Sequence, residues 1–279
     1  MNRFSRSWAL IKASARVLAA DKELLVFPIL SSIATLIVTL TFAVPLLLSG
    51  GLSSVSQNRF PAIYYLVLFL FYIVQYFVIF FANTALVGAA TIRLKGGDPT
   101  VGDGFRIAFS HFGPILGYSV IAATVGMLLR MVSERSRGLG RILISLIGFA
   151  WNVATFLVVP ILAVEGIGPI QAIQRSVALL KKTWGEQIIG NFGVGVIFGL
   201  IIFGLILISL PIFYLLITAK LIMGVVALVV ILVLLFILIG LVQSALNGIY
   251  TAAIYQFAVD ERTVFFDESM IRDAFVERR

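Results

Sequence analysis

For acid–base, thiol or metal chemistry the chain offers one histidine, no cysteine and 13 carboxylates in 279 residues. His111 sits just before the apolar run that opens at Phe112, where an amphipathic ring is expected to ride at the level of lipid headgroups. Asp98, Asp103 and Glu165 lie beside loop sequences. Of these Glu165 is the most notable, because Gly166-Ile167-Gly168-Pro169 after it forms a tight turn. A lone carboxylate in that place is expected to be solvated or to cap a helix. Zinc-helix, phosphate-loop, nucleophile-elbow and dinucleotide fingerprints are absent from the sequence. Without cysteine there is no disulfide, thiolate nucleophile or cysteine metal site. The expectation is therefore a non-enzyme, with no catalytic, metal or cofactor-binding residue assigned. Were there lipid chemistry, Glu165 and His111 would be the residues to carry it.

A second set is polar but uncharged: Gln75, Asn83, Thr124, Asn152, Asn191, Gln243 and Asn247 all fall inside apolar runs. Hydrogen bonds between neighbouring helices are their ordinary use, each worth about 0.6 kcal/mol on average. The alternative is a polar lining for the path of an uncharged or amphipathic solute. No ionisable residue falls in the middle of a run, where one costs about 2.5–3.5 kcal/mol on insertion scales. That argues against ion-coupled transport.

The elements that must hold these residues follow from composition. Hydrophobic residues make up 61% and charged residues 12%, against roughly 45–50% and 25% in soluble domains. Too few charges exist to cover a water-exposed surface, and disorder fails on the same numbers. The fold class is all-α, a polytopic transmembrane bundle forming one domain over 1–279. Runs long enough to span a bilayer are Leu24–Ser49, Ala62–Ala90, Phe112–Leu129, Ile142–Val164, Gln187–Leu210 and Leu221–Val259. Pro211 and Lys220 alone interrupt the stretch from Ile188 to Val259, which is read as two spans, with three as the alternative.

The net charge is +8, which topology explains better than a nucleic-acid partner. Fifteen basic residues fall on the side of the N-terminus and six on the other. By the positive-inside rule both termini are cytoplasmic, with the chain in the cytoplasmic membrane. One segment disobeys: Arg130, Arg135, Arg137 and Arg141 put four cations on the outer face. They are either anchors snorkelling to lipid phosphates or a docking cluster for an anionic lipid or acidic partner.

Each odd-numbered span follows a short amphipathic segment. The stripes are Phe4, Trp8, Ile11, Ala15 and Leu18; then Val101, Phe105, Ala108 and Phe112; then Ile170, Ile173, Val177, Leu180 and Trp184. Arg3, Arg6, Lys12, Arg16, Arg106, Arg175, Lys181 and Lys182 accompany them as candidate lipid contacts. The plan is three parallel repeats of interfacial helix plus hairpin, about 1–97, 98–167 and 168–260. An amphipathic tail, 261–279, has Asp267 as a helix cap. Gly113-x-x-x-Gly117 and Gly195-x-x-x-Gly199, with Gly190, Gly193 and Gly204, mark expected close helix contacts. Nine aromatics between Tyr64 and Phe81 exceed what one neighbouring helix can absorb.

The opening Arg3-Phe4-Ser5-Arg6-Ser7-Trp8-Ala9-Leu10 through Phe27-Pro28 resembles an uncharacterised family of bacterial and archaeal six-span membrane proteins. So does Ala245–Phe275, with Ile254-Tyr255-Gln256-Phe257-Ala258 and Phe266-Asp267. The architecture is also similar to the membrane domain of glycerophosphodiester phosphodiesterases, without their catalytic part, so no hydrolase activity is implied. The functional expectation is a membrane-organising or accessory module. Its partners would be the phospholipid bilayer, anionic lipids and another membrane protein, with no nucleic acid. The alternative is a transporter or channel for an uncharged or amphipathic solute.

Overall fold

The computed structural model describes residues 3–48, 62–184 and 193–259. Its element order is short–long–long three times over. The first set is α1 (Arg3–Ala20), a 3-10 turn (Lys22–Leu25), α2 (Val26–Leu48) and α3 (Ala62–Leu94). The second is α4 (Val101–Ser110), α5 (Phe112–Arg135), α6 (Leu139–Ala154) and α7 (Val158–Val164). The third is α8 (Pro169–Trp184), α9 (Gly193–Thr218) and α10 (Ile222–Ala258). Six stretches are long and apolar enough to cross a membrane: Lys22–Leu48, Tyr65–Leu94, Phe112–Arg135, Leu139–Val164, Phe198–Thr218 and Ile222–Gln256. The chain is an all-α, multi-pass membrane bundle. The expected tail helix, Gly190 and Asn191 lie outside the described residues.

The division between the last two spans falls at Lys220 alone. Pro211 stays inside α9, so this helix runs eight residues past the expected Leu210. The stop is a left-handed residue, Lys220 at φ 56°. There Leu221 N–H donates to the Leu216 carbonyl and Lys220 N–H to the Ile217 carbonyl, a Schellman closure.

Buried residues gather at one end, termed proximal, where the three short helices sit. They include Ala13, Val17, Leu24 and Phe27, then Ala85, Leu86, Val87, Ala89 and Ala90, then Leu157, Val158, Ile161 and Leu162, and then Ala245, Leu246, Ile249, Ala252, Ala253, Ile254 and Tyr255. α3 is the central post, touching α2, α4, α5, α7 and α10. At the other end, termed distal, Leu40, Leu48, Leu143, Leu146, Phe203 and Met223 are all exposed.

The inward seams of the short helices differ from the expected stripes. α1 buries Ala13, Ser14, Val17 and Leu18 while Ala15 is exposed, and α8 buries Ala172, Ser176, Leu179 and Leu180 while Ile170 is exposed. α4 buries Gly104 and Ala108. Small residues, Ala13, Ser14, Ala172 and Ser176, share the inner seam with Val17, Leu18, Leu179 and Leu180, so the short helices pack closely on the bundle.

Gly104 is the tightest point: a Cβ there would overlap the Phe27 ring and lie 2.7 Å from the Ala85 carbonyl oxygen. Gly248 is pressed on Leu86, and a Cβ at Gly88 would lie 2.9 Å from Ile107. By contrast Gly113, Gly195, Gly199 and Gly204 meet nothing within 4 Å, and Gly117 touches only Pro169. Among the described residues Gly195, Gly199 and Gly204 therefore make none of the expected contacts on α9.

Aromatics on α3 divide between two columns. Tyr72, Tyr76 and Phe80 stack along the helix and end on Tyr118, while Phe77 and Phe81 meet Phe105, Phe109 and Phe112. Most of this aromatic surface is spent on α4 and α5.

Candidate functional site

At the proximal end Arg93 near the close of α3 ties three segments together. Its guanidinium donates to the Ala20 carbonyl (3.2 Å), the Gly97 carbonyl (3.2 Å) and Asp98 (2.9 Å). Asp21 caps the 3-10 turn through Glu23 N–H at 3.2 Å. Burial raises its carboxyl above the ordinary range, against the opposing pull of that N–H and of Arg93. Thr100 and Asp103 form a capping box that starts α4. Hydrogen bonds from the Thr100 hydroxyl and N–H hold Asp103 below the ordinary carboxylate value. These groups fix helix ends and leave no open constellation.

Glu165 is not lone. Its Oε1 accepts from the Tyr255 hydroxyl at 3.0 Å and pairs with Arg175 Nε at 3.2 Å, linking α8 to the foot of α10. Gly166 follows at φ 63°, and a Cβ there would lie 2.5 Å from His111 Nε2. His111 is half-buried against that turn rather than simply at a lipid boundary. Both candidates for lipid chemistry are thus engaged in joining short helices to spans. No cluster of three His, Cys, Asp or Glu suited to a metal exists among the described residues.

The candidate lipid contacts of the short helices divide by exposure. Lys12, Arg16 and Lys181 are exposed, and Arg106 is exposed beside Asp103 at 3.3 Å. The side chains of Arg3, Arg6, Trp8, Lys182 and Trp184 lie outside the described ones.

At the distal end α2, α3 and α5 enclose a groove of about 440 Å³. Phe42, Leu46, Leu68, Phe71 and Met131 make its walls apolar, and Arg130 with Glu134 stands on its rim. Arg130 donates to the Tyr72 hydroxyl at 2.6 Å and to Glu134 at 2.9 Å. Arg135, Arg137 and Arg141, on the segment that follows, are exposed. Among the described residues nothing pairs with them. From 130 to 141 four arginines face one glutamate, a local charge of +3. Tyr72 was missed as a partner of Arg130 by reading the sequence, since 58 residues separate them.

The polar span residues divide too. Asn83, Gln243 and Asn247 line one cavity of about 360 Å³ between α3, the α6–α7 break and α10. Ser244 and Thr251 join them, and sequence reasoning missed both. The signal was there: Gly240, Gln243, Ser244, Asn247, Gly248 and Thr251 form one stripe at steps of three and four on an otherwise apolar helix. Asn152 is exposed elsewhere on α6, and Gln75 Oε1 is buried on α3 with no partner among the described residues. The expected interhelical amide bond is made by a different residue. Buried Gln256 donates to the Thr91 carbonyl at 3.2 Å, in the last turn of α3.

The wall at α6–α7 exists because the fourth span is broken at Thr155–Leu157. A break in lipid strands backbone groups unless the protein satisfies them. Thr155, Phe156 and Val158 N–H groups find local carbonyls, and Leu157 N–H reaches Ser176 Oγ on α8 at 3.2 Å.

No curated protein and no solved structure matches the chain. Residues 62–265, which hold the groove's α3 and α5 walls and all of the cavity, match the model of a family of unknown function (DUF6159). With the match covering well over half its length, this six-span membrane chain belongs to that family.

Proposed function

We propose that the chain is a non-enzymatic membrane module whose distal groove holds an anionic phospholipid. The observation that carries this reading is Arg130 on an apolar groove, with three more exposed arginines on the segment that follows it. The groove walls match an acyl chain in character, and a guanidinium pairs with phosphate through two parallel hydrogen bonds. Tyr72 and Glu134 hold Arg130 in place, so little ordering cost remains when a headgroup arrives. The 15-to-6 distribution of basic residues supports a cytoplasmic proximal end and hence a distal groove in the outer leaflet of a prokaryotic inner membrane. Exposed Lys12, Arg16, Arg106 and Lys181 then face anionic lipid of the other leaflet. Another membrane protein is a further candidate partner for the uncovered distal faces.

The test is lipid retention by the purified chain, read by native mass spectrometry after equilibration in mixed phosphatidylglycerol–phosphatidylcholine nanodiscs. Preferential retention of phosphatidylglycerol is expected. It should fall at least tenfold when Arg130, Arg135, Arg137 and Arg141 are replaced by Gln together. Equal retention of both lipids by the unaltered chain, or an unchanged preference in the variant, overturns the reading.

A further inference from the structure

We propose that the cavity between α3, the α6–α7 break and α10 binds a neutral polyhydroxyl group, either a free polyol or the head of an uncharged lipid. This goes beyond the anionic-lipid reading and uses different residues. Asn83, Gln243 and Asn247 present three carboxamides to one space, and Ser244 adds a hydroxyl. Among the described residues none of these four side chains makes a hydrogen bond within the protein. Polar groups set among apolar side chains are costly to leave unsatisfied. An occupant that carries hydrogen-bond partners would satisfy them.

The lining also says what kind of occupant. A carboxamide offers donors and an acceptor together, so its best complement is a group that does both, and a hydroxyl does. Thr251 already donates its hydroxyl to the Asn247 carbonyl at 2.6 Å, which leaves it as an acceptor toward the cavity. No lining residue is ionisable, so an ion would lose its hydration without gaining a counter-charge. Phe156 supplies an apolar face for the C–H side of a carbon chain. The volume of about 360 Å³ lies within the roughly 300–1,000 Å³ of small-molecule sites.

A second feature points to the same place. Phe156 lies in the break of the fourth span, and interrupted spans are tolerated where they are buried or line a hydrated cavity. Asn247 is exposed, so the cavity opens at the side of the bundle and a lipid head has a route in.

The test offers two probes, tritiated glycerol and tritiated dioleoylglycerol, to the full chain in phosphatidylcholine nanodiscs, with empty nanodiscs as background. Saturable binding of one probe is expected, and which one binds identifies the source of the hydroxyls. Gln243→Leu with Asn247→Leu should weaken it at least tenfold, while Arg130→Gln leaves it unchanged. No saturable binding of either probe overturns the proposal, as does equal binding by the double variant. If that variant does not fold, Ser244→Ala is expected to weaken binding about threefold, and unchanged binding then overturns it. Loss with Arg130→Gln would also overturn it, by merging the two sites.

Discussion

The two ends of this bundle have similar apolar composition and opposite packing. Proximally, Leu86, Leu157, Ile161 and Ile249 are wholly buried. Distally, the most apolar 18 residues of the last span include no buried residue at all. Hydrophobicity does not explain the contrast, since lipid tails are as apolar as leucine and give helices no reason to leave them. Close approach and specific polar links do. The proximal end has Gly88, Gly104 and Gly248 at crossings, and Ser176, Gln256, Arg93 and Glu165 bonding across elements. At the distal end the Arg130–Tyr72 hydrogen bond crosses between helices beside a groove. Order at the proximal end thus frames the polar cavity, and openness at the distal end makes the apolar groove.

The contrast can be broken most directly at its glycines. Gly104→Val should cost about 3 kcal/mol or prevent assembly, because Phe27 and the Ala85 carbonyl leave no room. Gly199→Ala, with nothing within 4 Å, should be neutral or gain up to about 1 kcal/mol from helix propensity. Unfolding midpoints in nanodiscs check both, and equal tolerance at the two sites would erase the distinction. Next in size is Ser176→Ala, which strands the Leu157 N–H in a buried place at a cost of about 1–3 kcal/mol. Its distal counterpart, Ser209→Ala, removes only a bond within α9 and should stay within about 0.5 kcal/mol. Tyr255→Phe should cost about 1 kcal/mol, and a double-mutant cycle with Glu165→Gln should show the two effects to be coupled.

The smallest effect is a pH dependence confined to the proximal end. Asp103 titrates below its ordinary 3.8, so its contribution is complete above that pH and lost as pH falls through the depressed value. Asp21 titrates above 3.8, so its ionisation costs stability as pH rises from 3.8 through the raised value. Unfolding midpoints between pH 3 and 6, about the carboxylate range, should therefore flatten on the acid side in Asp103→Asn. In Asp21→Asn they should lose the decline above 3.8. Opposite signs, or shifts in Arg130 variants of the same size, would remove the assignment.

Much of the architecture was legible in the residues. Six apolar runs, the short helices between them and the outlying arginines each need only local composition and length. The seams of α1 and α8 were not, because a 3.6-residue period finds the apolar side of a helix without saying whether lipid or protein covers it. Ala15 and Ile170 face outward while Ser14 and Ser176 face in. The glycine pattern misled for the same reason: spacing shows where a backbone could approach, and among the described residues Gly195 and Gly199 meet nothing within 4 Å.

By itself the sequence determined an all-α membrane chain, its number of spans and the paucity of catalytic groups, all consequences of side-chain transfer into a bilayer. Tertiary structure decided which polar residues meet. Asn83 and Asn247 stand 164 positions apart and share one cavity. Neighbouring Asn152 is left outside it, and Glu165 acquires partners 10 and 90 residues away. Such meetings depend on crossings set by a few glycines and on one broken span, and no local pattern encodes either. The outlying arginines sharpen the point: the sequence exposed them as an anomaly, and only the fold set Arg130 on the rim of a groove.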